Sequence, residues 1–321
     1  MLNTLALRKM MKGENAWDSK RETFVEGFEY KFPLFISPKV DGIRCDVQQE
    51  TALTYTGKLL KNVATREQLS LEMYNGLDFE LTDGVAYGDG VFSRATKAFM
   101  SIKGTPEFTC NIFDDFTNPD APYSERLAAM RERVDVLNRN FFGRDPFNII
   151  PQIEVNSVEE VLFYDEQFLS QGYEGSMTRI ASGRNKAGRS TLREQYLIKL
   201  KRFSHTEAKI IGYEEEMENT NVTLYDVYGR AFKRNTKDDK SGKGRLGKYI
   251  CECPEYEEPF LVSCTTMPHA ERLERWLTRD KDIGKYIRFK HLKHGEKDKP
   301  RHPMFAGFRD KDDFMEPEHA F

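Results

Sequence analysis

Residues 37–45 read Ser37-Pro38-Lys39-Val40-Asp41-Gly42-Ile43-Arg44-Cys45, and this stretch decides how the rest is read. A lysine stands where a strand gives way to a turn. An acid follows, then a glycine that lets another backbone come close, then an arginine. A lysine becomes a nucleophile when desolvation or neighbouring positive charge keeps its amine neutral. Around it, residues 32–47, FPLFISPKVDGIRCDV, predict two short strands about a polar turn, with Ile43, Cys45 and Val47 alternating.

Working outward, residues 1–30 read as a charged surface arm or helix, and residues 62–75 as one amphipathic helix. Residues 77–92 and 108–116 return to strand-like text. Leu127, Met130, Val134 and Leu137 predict a helix over 122–142 with Ser124 as N-cap. A second helix is predicted over 156–171, capped by Asn156 or Ser157, with Glu160 in its first turn and Gly172 as its stop. Residues 173–200 read as strands interrupted by a basic turn.

After Phe203 the text changes to short alternating β segments, with a flexible loop over 237–248, one helix near 268–280 and a last strand-like run before a charged tail. The expected class is α+β, with a domain boundary near 203 and a small β-barrel from 204 to 321. With 321 residues, 39% of them hydrophobic, the chain buries a real core, which excludes wholesale disorder. No run approaches a membrane span, and the four-residue apolar patch at the start is too short for a signal-peptide core. The five cysteines form no dense disulfide framework, so a cytoplasmic setting is expected. Cys251-x-Cys253 with Cys264 and His269 lacks zinc-knuckle spacing, and no Gly-x-x-x-x-Gly-Lys-Ser/Thr loop occurs.

Lys39-x-Asp41-Gly42-x-Arg44 resembles motif I of the covalent nucleotidyltransferases: DNA ligases, RNA ligases and mRNA capping enzymes. Further stretches resemble that family's later motifs, in order. Leu77-Asp78-Phe79-Glu80-Leu81 resembles the acidic motif III, with Phe79 in place of glycine. Ile112-Phe113-Asp114 resembles the motif whose ring stacks on the nucleobase. Glu174-Gly175 resembles motif IV, and Lys199-Leu200-Lys201 resembles motif V. The likeness spans residues 35–203 and implies an ATP-grasp-like nucleotidyltransferase domain of antiparallel sheets and flanking helices over 1–203, followed by an OB-fold.

The resemblance also implies roles. Lys39 attacks the α-phosphate of ATP, and pyrophosphate leaves. Lys199 and Lys201, two apart on a strand, share a face and are expected to hold that phosphate and depress the Lys39 pKa. Glu80 and Glu174 are expected as carboxylates for the ribose or for Mg²⁺. Arg44 is expected to clamp a phosphate or ribose, and Phe113 to stack on the base. Ser37 holds a place that is often a base-reading glutamate in ligases. Lys58, within Gly57-Lys58-Leu59-Leu60-Lys61, stands in for the arginine of Ser-Arg-x-x-Lys. Arg179 follows motif IV where relatives carry lysine.

Near the end, Arg301-His302-Pro303-Met304-Phe305 resembles motif VI of small bacteriophage-type ATP-dependent DNA ligases. Arg301 and Arg309 are expected to orient pyrophosphate, and Lys311 completes an offset Arg-x-Asp-Lys. The formal charge of −3 excludes a generally basic coat protein, but Lys and Arg cluster over 184–193, 227–248 and 275–301 with aromatics between them. Such faces bind phosphates without regard to sequence.

The expected protein is therefore a monomeric ATP- and Mg²⁺-dependent DNA ligase acting on nicked double-stranded DNA in replication, repair or recombination, of phage type. Only 38 residues precede Lys39, so ATP rather than NAD is the expected donor. An RNA ligase, a capping guanylyltransferase and a catalytically dead nucleic-acid-binding module are the alternatives.

Overall fold

The lysine motif is the hinge between two sheets. Leu34–Pro38 is a strand of one, Ile43–Gln48 a strand of the other, and Lys39 to Gly42 cross from the first to the second. Only glycine fits at position 42, because a Cβ there would run into the carbonyl oxygen of Leu81 on the neighbouring strand. This geometry comes from a computed structural model that describes residues 7–19, 21–139, 145–225, 231–233, 240–292, 296 and 298–309.

The first sheet runs in the order Glu14–Asn15, Ile198–Leu200, Ser176–Ile180, Leu34–Pro38, Ile153–Val155. The second runs Thr51–Thr54, Ile43–Gln48, Leu77–Thr82, Thr109–Asp115, Phe147–Ile149. Helices Val91–Phe99 and Tyr123–Arg139 help cover the second sheet and close its core around Phe79, Phe99, Tyr123 and Phe147. Burying side chains of this size contributes about 1.5–3 kcal/mol each before entropy is counted. A smaller core of Leu34, Ile36, Val155, Val161 and Phe168 packs the first sheet on helix Val158–Ser170. That helix starts as its sequence predicts: Ser157 Oγ accepts from Glu160 N–H at 3.2 Å, and Glu160 accepts from Asn156 N–H at 2.6 Å.

Several elements differ from the sequence reading. The predicted helix over 62–75 ends at Leu69 and gives way to a short 3₁₀ turn at Glu72–Tyr74. Asn62 fixes its start by accepting from Thr65 N–H while its amide donates to the carbonyls of Ser101, Lys103 and Gly104. Ser124 lies inside its helix rather than capping it, with its N–H on Ala181 O. Within the first 30 residues, those described form two-residue strands rather than a helix.

Contacts divide the chain into two compact units, Met1–Arg202 with Tyr225–Arg230, and Phe203–Leu224 with Ala231–Phe321. In the second unit, strands Ser204–Asn219, Lys240–Cys253, Tyr256–Ser263, Arg301–Arg309 and Tyr286–Leu292 close on themselves in that order. Lys240–Lys248, read as loop, is therefore strand, and residues 301–309, read as tail, complete the closure. Two register shifts against the partner strand, between Lys248 and Leu246 and between Leu246 and Gly242, break the alternation that would have revealed the former. All five cysteines are free and buried. Among the described residues no helix is long and apolar enough to cross a membrane.

Candidate active site

Lys39, Glu174 and Lys201 come together because backbone pairing puts them there. Lys39 N–H donates to Gly175 O at 2.8 Å, and Glu174 N–H donates to Lys39 O at 3.1 Å. Gly175 sits at φ +143°, where a Cβ would collide with Leu200 O. The carboxylate of Glu174 then takes Lys39 Nζ on Oε2 and Lys201 Nζ on Oε1. Burial pushes Glu174 up, but the two lysines outweigh it and hold the group down at about 2.

The sequence expectation for Lys39 is overturned in this state. Burial lowers its pKa, but Glu174 and Glu80 more than offset that, and the net shift is upward. Lys199 moves the other way, lowered by burial and by Lys39 and Lys201 beside it. The carboxylate between the lysines, which a spacing argument does not see, reverses the sign at Lys39.

These groups face a cavity of about 300 Å³, lined by Ser37, Lys39, Arg44, Glu80, Phe113, Lys199 and Lys201 among others. Ser37 Oγ donates to Met177 O at 3.4 Å. Glu80 Oε1 accepts from Gly42 N–H at 3.1 Å, and Oε2 has no hydrogen-bond partner among the described residues. Burial holds Glu80 up at about 8, Lys39 and Arg44 only partly opposing it.

Two guanidinium groups lie near the ring of Phe113, Arg44 at 5.1 Å and Arg179 at 5.3 Å from its centre. Arg44 spends its fork on Asp78, with Nε to Oδ1 at 3.0 Å and Nη2 to Oδ2 at 2.6 Å. It therefore walls the cavity rather than offering the open phosphate clamp expected of it. Arg179 is buried against Asp114, 3.9 Å away, which also takes a two-point contact from Arg126. Asp46, Asp78 and Asp114 thus form a buried row across three paired strands.

Lys58 is exposed and absent from the cavity wall; Tyr55, in the same turn, lines it instead, with Lys12, Gly13 and Arg189. The sequence reading passed over Lys12 and Gly13. Their only signal, a lysine and glycine within a charged segment, is common surface text. Arg301 and Arg309 lie on the last strand of the second unit, where Arg309 Nε meets Glu207 at 2.5 Å. Lys311 falls outside the described residues. Of the basic stretch 227–248, Lys243 and Arg245 turn onto Glu216 at 3.1 and 2.5 Å, and Lys248 onto Glu214 at 3.3 Å. Arg230, Arg234 and Lys237 lie outside the described residues.

No family model matches the chain. A DNA ligase of African swine fever virus (strain Badajoz 1971 Vero-adapted) is 30% identical over 167 residues, half of this chain. The chain's match spans about a third of that relative, 32% of its length. The crystal structure of a Chlorella virus DNA ligase-adenylate is 27% identical, with a TM-score of 0.51 over 96% of this chain and all of that one. A structure from a study of Lig E DNA ligases superposes with a TM-score of 0.64 over 89% of this chain and all of that one, at 20% identity, a likeness of fold. In fold and in the order of its lysine and carboxylate motifs the chain is similar to these DNA ligases. The likeness to the Chlorella virus DNA ligase-adenylate runs nearly the whole length of both chains.

Proposed function

We propose that the chain is an ATP-dependent DNA ligase that seals nicks between a 3′-hydroxyl and a 5′-phosphate through a lysyl-AMP on Lys39. The observation that carries the proposal is Lys39 at the wall of a cavity that also presents Lys199, Lys201 and the ring of Phe113. Residues 1–203 act as the nucleotidyltransferase domain, and residues 204–321 as an OB-fold that carries Arg301 and Arg309 for the departing pyrophosphate.

The residues present suit each part of the substrate. Phe113 offers a stacking face for the base, made electron-poor by the two guanidinium groups beside it. Ser37 and Glu80 offer polar contacts to base and ribose. Lys199 and Lys201 offer charge to the α-phosphate. Lys39 must lose its proton and its hold on Glu174 before it attacks. An incoming phosphate that draws Lys201 away from Glu174 loosens that same carboxylate. The Lys39 Nζ–phosphorus bond then forms as the bond to pyrophosphate breaks. AMP passes to the 5′-phosphate at the nick, and the 3′-hydroxyl displaces it.

Mg²⁺ takes oxygen ligands and keeps much of its coordination for water and substrate phosphates. Among the described residues no group of three His, Cys, Asp or Glu gathers to hold a metal. One or two protein carboxylates with substrate phosphates fit that donor set. Glu80, with Oε2 unused, would be the ligand of first resort, and Glu174 would join only after releasing its lysines. The ion would supply neutralisation of phosphate charge.

Intact-protein mass spectrometry after incubation with Mg²⁺ and, separately, ATP, GTP or NAD tests the proposal, on the wild type and Lys39→Ala. A gain of one AMP from ATP, absent in the variant, is expected. A GMP adduct indicates capping chemistry, and no adduct with any nucleotide overturns the enzyme reading.

A further inference from the structure

Seven cationic side chains line the cavity, Lys12, Lys39, Arg44, Arg179, Arg189, Lys199 and Lys201, against one acid, Glu80. Four of them are matched from behind: Lys39 and Lys201 by Glu174, Arg44 by Asp78, Arg179 by Asp114. Among the described residues Arg189 pairs with the partly exposed Glu14, at 3.3 Å. The ion pairs found among the described residues include neither Lys12 nor Lys199. The site therefore holds more positive charge than a single α-phosphate requires.

Lys12 is not a stray surface lysine. Its N–H donates to Gly188 O and its carbonyl accepts from Ser190 N–H, both at 2.8 Å, so it is bridged to Arg189 in parallel. Met10 and Met11 before it are buried, which anchors the segment. Gly13 after it lines the cavity, where a Cβ would press on Met177 and Leu197 at 3.3 and 3.4 Å. The ammonium stands 4.3 Å over the ring of Tyr55. That contact favours a cation there and restrains a long side chain that would otherwise sample many rotamers.

The geometry points to Lys12, steadied on Tyr55 and paired with Arg189, as a subsite for a second phosphate group beside the one that Lys199 and Lys201 serve. It rests on the proposed ligase reading and supplies from the N-terminal segment the charge that Lys58 does not bring. The second phosphate has two sources, the pyrophosphate end of the nucleotide or the 5′-phosphate of the nicked strand. An ammonium suits either, since it acts as a point charge without a planar fork.

The test uses the full chain as wild type, Lys12→Ala, Lys12→Arg, Tyr55→Phe, Tyr55→Ala, and Lys9→Ala as a control at an exposed position outside the cavity wall. Two single-turnover rates are read: AMP transfer to Lys39, and its discharge from pre-adenylylated protein onto a 5′-phosphorylated nick. Lys12→Ala is expected to slow one of them about tenfold or more relative to Lys9→Ala, with Lys12→Arg and Tyr55→Phe near wild type and Tyr55→Ala between. Loss in the first step names pyrophosphate as the occupant; loss confined to the second names the 5′-phosphate. Lys12→Ala matching Lys9→Ala in both steps, at equal melting temperature, overturns the subsite. Calorimetric binding of inorganic pyrophosphate and of the nicked duplex separates the two readings. A wild type that takes no AMP, with either binding weakened by Lys12→Ala, sinks the ligase reading and keeps the subsite; equal binding sinks both.

Discussion

Lys39 and Glu174 are joined twice, once through their side chains and once through the main chain, where Glu174 N–H donates to Lys39 O while Lys39 N–H donates to Gly175 O next door. The second link fixes the first. Lys39 is held as an ammonium by a buried carboxylate, and freeing its amine requires that this grip be released.

The first prediction follows from the sign of that shift. Lys39 is held above its ordinary pKa, so the rate of its modification climbs with pH through the neutral and mildly alkaline range. In Glu174→Gln the main opposing charge is gone, and burial acts to lower the pKa. Competitive labelling with acetic anhydride at pH 8, read by peptide mass spectrometry, should show Lys39 more reactive in the variant, by about tenfold for each pKa unit recovered. Equal labelling would contradict this account.

Arg44 and Asp78 give a second. Both are largely buried, and their two-point contact satisfies both groups. Asp78→Ala leaves a desolvated guanidinium unpaired beside Phe113. A loss of about 3–5 kcal/mol is expected from urea unfolding. Asp78→Asn should cost less, because one acceptor oxygen survives.

The third concerns stability against pH. Burial holds both Asp46 and Glu80 up at about 8, with Asp78 adding to the effect at Asp46. The folded chain then binds more protons than the unfolded chain between the usual carboxylate range and pH 8. Their contribution is full at low pH and is lost as pH rises through about 8. Glu174 acts oppositely, its contribution failing only as pH falls toward about 2. Melting curves from pH 5 to 9 should show the wild type losing stability, and Asp46→Asn losing measurably less. A variant as steep as the wild type would refute the assignment.

In the second unit, Glu216 gathers Lys243, Arg245 and Arg272. Arg272 is buried, and its other contact is to Leu246 O at 2.8 Å. Glu216→Ala should destabilise this unit by about 1–3 kcal/mol, whereas Lys243→Ala, removing a half-exposed partner, should cost under about 1 kcal/mol. Thermal unfolding of the two variants checks the contrast.

Much of the site was legible because chemistry restricts residue identity there. Lys39, Glu80, Phe113, Glu174, Lys199 and Lys201 appear in order, and all but Glu174 line one cavity while Glu174 binds two of them from behind. What spacing could not reveal was charge compensation: that Asp78 occupies Arg44, and that Glu174 reverses the shift at Lys39. Lys12 was hidden for another reason. It is placed by a bridge to residue 189 and by two-residue strands too short to show any periodicity. Helix Val91–Phe99 was missed because the glycines before it, Gly84, Gly88 and Gly90, read as turns between strands. Leu71 and Tyr74 extended the apolar pattern beyond the true helix end at Leu69.

The buried cysteines make each unit report on itself. Cys45 and Cys110 lie in the first core, and Cys251, Cys253 and Cys264 in the second. Burial raises every one of these thiols, so little thiolate is available while the chain stays folded. Alkylation at a given cysteine therefore dates the opening of the core around it. The native chain carries, without engineered labels, two separate clocks for local unfolding.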